Sequence, residues 1–138
     1  AIGVGKSISN SGADVFFAKE VISLTSKLGD SLGIILGLYL VTNILTMFVT
    51  NAAAVAITFP IAVASGKQLG LHDMTPLLLT IAFASSADFL TPFGYQTNLM
   101  VFGPGGYKFS DYIRYGLIPT LIYMAMTIFG IAWWYNML

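Results

Sequence analysis

The sequence contains no cysteine, a single histidine, and only six basic and six acidic side chains among its 138 residues. Without cysteine, thiolate metal sites and disulfide bridges are excluded. A net charge of zero without a basic cluster argues against nucleic-acid binding. The histidine, His72, stands beside Asp73 in a polar connection, where a solvated loop residue is expected. Because no nucleophile and base, and no paired carboxylates, occur at useful spacing, the sequence predicts that the protein is not an enzyme.

Apolar side chains are what the sequence has in abundance. Hydrophobic residues make up 57% of the chain, and the mean hydropathy is +0.82. These values exceed those of a soluble domain, so we expect an integral membrane protein in contact with the lipid bilayer. A chain of this length provides about three or four membrane crossings, too few to enclose a substrate path, so further segments or subunits are expected.

The longest uncharged stretch runs from Ser31 to Gly66. As one helix it would measure roughly 54 Å, far more than the ~30 Å of a hydrocarbon core. Thr50-Asn51-Ala52 places hydroxyl, amide and small side chains near its middle, which predicts two half-helices ending near Val49 and starting near Ala53. Broken backbone at membrane depth is stable only where it is buried in protein or lines a cavity. The break is therefore a candidate binding site.

A second break is predicted after the apolar run that begins at Met74. Asp88 is followed by Thr91-Pro92-Phe93-Gly94-Tyr95-Gln96-Thr97-Asn98. Proline removes a backbone donor and disfavours helix at the preceding residue, and Gly94 permits unusual dihedral angles. We therefore expect a loop within the membrane here.

These features divide an all-α membrane protein into four segments. Residues 1–30 are expected to form a re-entrant hairpin of two short helices, with an interfacial amphipathic helix as the alternative. Residues 31–72 are expected to form a broken transmembrane helix, and residues 73–106 an apolar segment with a binding loop. Residues 107–138 are expected to form a terminal transmembrane helix. Together they would make one transport domain that is a fragment of a longer protein.

Asp88 is a candidate proton or ion site, because an acid at membrane depth is functional by default. It either titrates during transport, neighbours a bound cation, or pairs with Lys6 or with a basic residue of a missing part. The residues themselves do not choose among these roles.

Both breaks resemble motifs of the divalent anion/sodium symporter (DASS) family. The resemblance rests on Thr50-Asn51-Ala52 and on Gly94-Tyr95-Gln96-Thr97-Asn98-Leu99-Met100-Val101-Phe102-Gly103. It is greatest to permeases with regulatory TrkA-C domains between their repeats. The resemblance implies the second inverted repeat of an elevator-type transporter with a re-entrant hairpin and discontinuous helices. It further implies a missing N-terminal repeat and scaffold, a homodimer, and a place in the cell (inner) membrane.

The resemblance also assigns the substrate-binding residues. Thr50, Asn51 and Ala52 stand at the Ser, Asn and Thr of the first motif. In the second motif the ungapped alignment places Gly94 at Gly, Tyr95 at Thr, Gln96 and Thr97 at two prolines, and Asn98 at Asn. An alternative alignment is anchored on Thr91-Pro92 and needs a four-residue insertion. Ala52 lacks the hydroxyl of the family motif and Tyr95 is bulkier than Thr, so sulfate or another oxyanion is favoured over a dicarboxylate.

Helix-end electrostatics supports the two ion sites. The N-terminus of the second half-helix carries unpaired N–H groups and suits an anion. The C-terminal carbonyl groups near Val49, with the Asn51 side-chain oxygen and the Gly94 carbonyl, suit a small hard cation. By family analogy Thr46 adds an oxygen. The alternative is that Thr46, Thr50 and Asn51 only hydrogen-bond to neighbouring helices.

The expected function is sodium-coupled secondary transport of a small divalent anion, with Na⁺ as the coupling ion and no other cofactor or metal. A proton-coupled ion exchanger or an oxyanion exporter of the same superfamily is the first alternative, in which Asp88 carries the proton. A non-transporting membrane subunit is the second alternative.

Overall fold

The computed structural model describes residues 30–136 without interruption and, before them, residues 3, 7, 10–12, 15–17, 19, 20 and 23. Between residues 30 and 136 all regular secondary structure is helical. The helices are α1 (Asp30–Thr46), α2 (Asn51–Gln68), α3 (Thr75–Ser85), α4 (Gln96–Phe102) and α5 (Phe109–Trp134). The hairpin expected over residues 1–30 lies largely outside the described residues and stays a prediction.

The first break lies at residues 47–50, slightly before its predicted position. α1 ends at Thr46 rather than near Val49, because the carbonyl oxygen of Leu45 accepts hydrogen bonds from the N–H groups of both Phe48 and Val49 and closes the helix with a tight turn. α2 begins at Asn51 rather than near Ala53. Thr50 is extended, and its side chain accepts a hydrogen bond from the Ala53 N–H group at 3.4 Å, so Thr50 is the N-cap of α2.

α1 and α2 form a helical hairpin rather than one interrupted span. Buried side chains from the first half of α1 and the second half of α2 lie in one cluster with side chains of α3, so α2 folds back along α1. The cluster contains Ile34, Ile35, Leu38, Ile61, Ala62, Ala64, Leu77, Ile81 and Ile131. This hairpin replaces the broken transmembrane helix expected over residues 31–72. An uncharged run has the same composition whether it continues or folds back, so the local sequence does not distinguish the two.

The second break separates α3 from α4. α3 starts after Asp73, whose Oδ1 atom accepts a hydrogen bond from the Thr75 N–H group at 2.8 Å. Hydrogen bonds from the Thr75 side chain and main chain hold the pKa of Asp73 below its usual range. The chain leaves the helical conformation after Ser85 and resumes it at Gln96. The observed loop ends at Tyr95, whereas the prediction extended it to Asn98. Gln96 and Thr97 are not prolines, so they can start a helix.

α5 is the long helix of the described part of the chain. Its 26 residues give a length of about 39 Å, more than the ~30 Å of a hydrocarbon core. Among the described helices it alone is long and apolar enough to cross a membrane, and α1 and α3 are apolar but shorter. It packs on α3 and α1, while its outer face leaves large apolar side chains such as Ile118, Met126 and Phe129 exposed.

Candidate functional site

The turn of the hairpin lies beside the end of α3. The amide nitrogen of Asn43 donates hydrogen bonds to the Ala87 carbonyl at 2.9 Å and the Ala84 carbonyl at 3.4 Å. The Thr46 hydroxyl lies 2.8 Å from the Ser85 carbonyl oxygen and 2.9 Å from Asn51 Oδ1, and its single proton is shared between them. These contacts bring the C-termini of α1 and α3 together.

Three polar side chains shape the loop between α3 and α4. The Thr91 hydroxyl lies 3.0 Å from the Met47 carbonyl oxygen and 3.1 Å from Asp88 Oδ1. The amide nitrogen of Asn98 donates to the carbonyl groups of Asp88 and Thr91 at 3.2 and 3.3 Å. The Tyr112 hydroxyl on α5 donates to the Asn98 carbonyl at 3.0 Å. The loop is therefore held to the hairpin on one side and to α5 on the other.

Gly94 lies where the two breaks pack tightly against each other. A Cβ atom at this position would meet the main-chain oxygen of Thr46 and the Oδ2 atom of Asp88. Any side chain here would push the loop away from the end of α1. Gly94 is thus required by close packing, since only a residue without Cβ fits.

The electrostatics of the site favours a cation. Two helix C-termini, each carrying about half a negative charge, meet beside the carboxylate of Asp88. Asp88 is only 6% exposed, and its Oδ2 atom has no hydrogen-bond partner among the described residues. Lys6, a partner considered for Asp88, lies outside those residues. An arrangement of oxygen atoms with excess negative charge is suited to a small hard cation.

The N-terminus of α2 lies directly next to this cation-favouring region. Thr50 caps the helix, no acidic residue occupies the first turn, and Ala52 is exposed there. The positive end of the α2 dipole is therefore free of a compensating acid. Because Asn51 starts α2 and its Oδ1 atom contacts the Thr46 hydroxyl, one residue belongs to both regions.

The structure brings together three of the four predicted cation ligands, Thr46, Asn51 and Gly94. The fourth, Val49, lies in the hairpin turn, where its N–H group donates to the Leu45 carbonyl at 3.0 Å. Among the described residues, no group of three or more His, Cys, Asp or Glu side chains forms a metal cluster.

The predicted substrate ligands lie on both breaks. Thr50 and Ala52 are exposed on the hairpin, and Tyr95, Gln96 and Thr97 are exposed on the second break. Asn98 differs from them, because it is half-buried and its amide nitrogen is used to hold the loop. The described geometry thus gives Asn98 a positioning role, and the binding roles of all seven residues stay predictions.

Two polar residues of the site were missed by the sequence analysis. Asn43 is polar within an apolar run and lies one turn before Thr46, a spacing that puts both on one helix face. Thr91 precedes the proline of the second break; it was predicted to lie in the loop and anchored an alternative alignment, but it was given no role in the site. The contact of the Thr46 hydroxyl with the Ser85 carbonyl left no signal in the sequence, because a carbonyl group is common to every residue.

Comparison with known proteins shows the family of the chain. The sequence model described as the sodium:sulfate symporter transmembrane region matches residues 1–138. An uncharacterized transporter of Synechocystis is 36% identical in an alignment of 136 residues that covers 94% of this chain and 22% of that relative. Sodium/sulfate cotransporter 1 of Chlamydomonas reinhardtii is 35% identical in an alignment of 118 residues that covers 84% of this chain and 13% of that relative.

A third relative, the uncharacterized transporter YfbS of Escherichia coli, is 35% identical over 91 residues, which are 66% of this chain and 15% of YfbS. The chain therefore spans less than a quarter of the length of these three relatives. Because the family match extends over the whole sequence, the chain belongs to the sodium:sulfate symporter transmembrane region family, which is a family of membrane transporters and not of enzymes.

Proposed function

We propose that the chain is part of a secondary transporter that couples the movement of Na⁺ to that of a small divalent anion, with sulfate favoured over dicarboxylates. The observation that carries this proposal is the meeting of two helix C-termini and a buried carboxylate directly beside the N-terminus of α2. A cation and an anion can then bind side by side, each at a helix end of the opposite charge.

In this proposal Na⁺ is held by oxygen atoms of Thr46, Val49, Asn51 and Gly94. Support comes from the packing of Gly94 on the Thr46 carbonyl and from the contact between the Thr46 hydroxyl and Asn51 Oδ1. Main-chain carbonyl groups at helix C-termini are suitable ligands, because the last four of a helix have no partner within it.

The anion is held at the start of α2 by Thr50, Asn51 and Ala52, and from the second break by Tyr95, Gln96 and Thr97, while Asn98, predicted as a fourth ligand there, positions the loop. Sulfate is favoured because Ala52 offers no side-chain donor for a second carboxylate and Tyr95 takes space that a longer substrate needs. The Chlamydomonas relative, which is named a sodium/sulfate cotransporter, supports the same substrate class.

Coupling between the ions follows from their shared residue. A cation on the Asn51 side-chain oxygen fixes Asn51 and neutralises the carbonyl groups beside the anion, so the anion binds more tightly when Na⁺ is present. By linkage, the anion strengthens Na⁺ binding by the same factor.

The rest of the proposed protein completes the transporter. The chain forms the second inverted repeat, and its site moves as a rigid body against a scaffold that includes the N-terminal repeat. The whole protein is a homodimer in the inner cell membrane with TrkA-C regulatory domains between its repeats. The large exposed apolar face of α5 supports contact with lipid or with such a scaffold.

The test is uptake of labelled sulfate by the full-length protein in proteoliposomes, with and without an inward Na⁺ gradient. We expect uptake only with the gradient. Thr46→Val should raise the Na⁺ concentration for half-maximal uptake by about tenfold or more, because it removes a hydroxyl that contacts Ser85 and Asn51. Thr58→Val is the matched control, since the Thr58 hydroxyl is buried and, among the described residues, hydrogen-bonds only to the Ala54 carbonyl of its own helix.

Other outcomes distinguish the alternatives. Sulfate uptake that ignores Na⁺ but follows a proton gradient selects the proton-coupled exchanger. Absence of any transport, together with tolerance of substitutions at both breaks, selects a non-transporting membrane subunit. Uptake of a dicarboxylate in preference to sulfate contradicts the assignment of the substrate.

A further inference from the structure

We infer that the Asp88 carboxylate is a direct ligand of the cation at this site, bridged by that cation to the main-chain oxygen of Thr46. The inference rests on the proposed function, because the cation is the one that couples transport. It adds a charged ligand to a set that otherwise contains only neutral oxygen atoms.

Two hydrogen-bond acceptors lie close together at Gly94. Asp88 Oδ2 and the Thr46 carbonyl oxygen both flank the point where a Cβ of Gly94 would lie. Neither oxygen carries a hydrogen atom when Asp88 is ionised, so the two repel each other unless something positive lies between them.

The two oxygen atoms of the Asp88 carboxylate have different surroundings. Its other oxygen, Oδ1, lies 3.1 Å from the Thr91 hydroxyl. Oδ2 is buried and makes no hydrogen bond of good geometry within the described part of the chain, although the main-chain N–H groups of Thr91 and Gly94 lie near the carboxylate. A buried carboxylate oxygen without a partner carries a large desolvation cost, and a bound cation removes that cost.

The oxygen atoms around Thr46 are suitable ligands for a small cation. The Thr46 hydroxyl contacts the Asn51 side-chain oxygen at 2.9 Å, so Thr46 and the residues around it supply three kinds of oxygen ligand: carboxylate, carbonyl and amide. Small hard cations prefer such oxygen ligands, and a carboxylate among them raises both affinity and selectivity for ions of high charge density. Because Gly94 has no Cβ, the Thr46 carbonyl oxygen and Asp88 Oδ2 can both lie against its backbone.

Asp88→Asn tests the inference with a predicted sign. The amide keeps an oxygen for the Thr91 hydroxyl and puts an N–H donor where Oδ2 was, facing the Thr46 carbonyl. The donor relieves the repulsion without a cation. We therefore expect the melting temperature of the variant in Na⁺-free buffer to be equal to or above that of the wild type, and its rise to be much smaller at the Na⁺ concentrations that stabilise the wild type.

The measurement uses full-length protein in detergent without sulfate, titrated with NaCl against choline chloride and KCl at constant ionic strength. We expect the Na⁺ concentration for half-maximal stabilisation to rise by about tenfold or more in Asp88→Asn, because a charged ligand is lost. Asp73→Asn is the matched control. Asp73 is exposed, and asparagine keeps the oxygen that accepts the Thr75 N–H hydrogen bond, so its Na⁺ response should equal that of the wild type.

An Asp88→Asn variant that is stabilised by Na⁺ as strongly as the wild type overturns the inference, while Na⁺-driven sulfate uptake by the wild type would leave the proposed function intact. A wild type that responds to pH but not to Na⁺ also overturns it, because a proton then lies between the two oxygens. If Asp88→Asn is not recovered folded, Asp88→Glu replaces it. A changed preference between Li⁺ and Na⁺ then supports a ligand role, and an unchanged preference contradicts it.

Discussion

At the scale of single residues, Gly94 determines how closely the two breaks approach. The sequence analysis assigned Gly94 a role through its carbonyl group. The structure adds that its missing side chain lets the Thr46 carbonyl and the Asp88 carboxylate lie against it. Replacing such a glycine lowers stability mainly because the new side chain clashes with its neighbours, and less because backbone freedom is lost.

Gly94→Ala should therefore weaken the site and the fold together. The added methyl group meets a main-chain oxygen, which cannot rotate away, so we expect a loss of about 1–3 kcal/mol in stability and of Na⁺-dependent sulfate uptake. Thermal unfolding and uptake by the full-length protein measure both. Gly103→Ala is the control, because a Cβ at Gly103 has no neighbour within 4 Å. Equal effects of the two substitutions would contradict the close approach at Gly94.

At the scale of helices, Asn43 joins α1 to the end of α3. Its amide nitrogen reaches two main-chain carbonyl groups that lie more than forty residues further along the chain, those of Ala84 and Ala87. Thr42, next to it on α1, is also buried, but its hydroxyl has no partner in the described region. Of these two adjacent polar side chains, Asn43 connects two helices, whereas Thr42 makes no such hydrogen bond in the described region.

Asn43→Leu and Thr42→Val should have different effects on stability. Asn43→Leu leaves buried carbonyl groups without this donor, and we expect it to lower the free energy of unfolding by about 1–3 kcal/mol. Thr42→Val removes only an unpartnered hydroxyl, so the protein should be as stable as the wild type or slightly more stable. Thermal unfolding of both variants checks the contrast, which fails if Thr42→Val is the more damaging.

At the scale of the whole molecule, α5 is docked against the second break. Gly116 of α5 lies against the main-chain oxygen of Phe89, directly after Asp88, and the Tyr112 hydroxyl of α5 holds Asn98. The ring of Phe89 packs edge-on against Tyr123, about two turns after Gly116 on α5. The long helix thus fixes the loop that carries part of the site.

Gly116→Ala should displace α5 from this loop. The new methyl group meets the Phe89 carbonyl, so we expect a loss of about 1–3 kcal/mol in stability and a weaker Na⁺ response. Gly130→Ala on the same helix is the control, since a Cβ there has no neighbour within 4 Å and alanine favours helix. If Na⁺-dependent stabilisation is unchanged in Gly116→Ala, α5 does not position the site.

The sequence by itself determined the class of the protein and the approximate positions of its two breaks. A nearly charge-free apolar chain indicates a membrane protein, and polar or proline-containing interruptions of apolar runs locate two breaks. Thr46, Asn51 and Gly94 could be named because each lies at a motif or at one helical turn from one. All of these signals are local, so they can be found along the chain.

Only the tertiary structure decided how those elements are arranged. It folded α2 back along α1, joined Asn43 to the end of α3, and set Gly94 between the Thr46 carbonyl and Asp88. These features depend on main-chain carbonyl groups and on contacts between residues about 40 or more positions apart. No side-chain pattern records them, because every residue has the same carbonyl group and packing alone selects which ones meet.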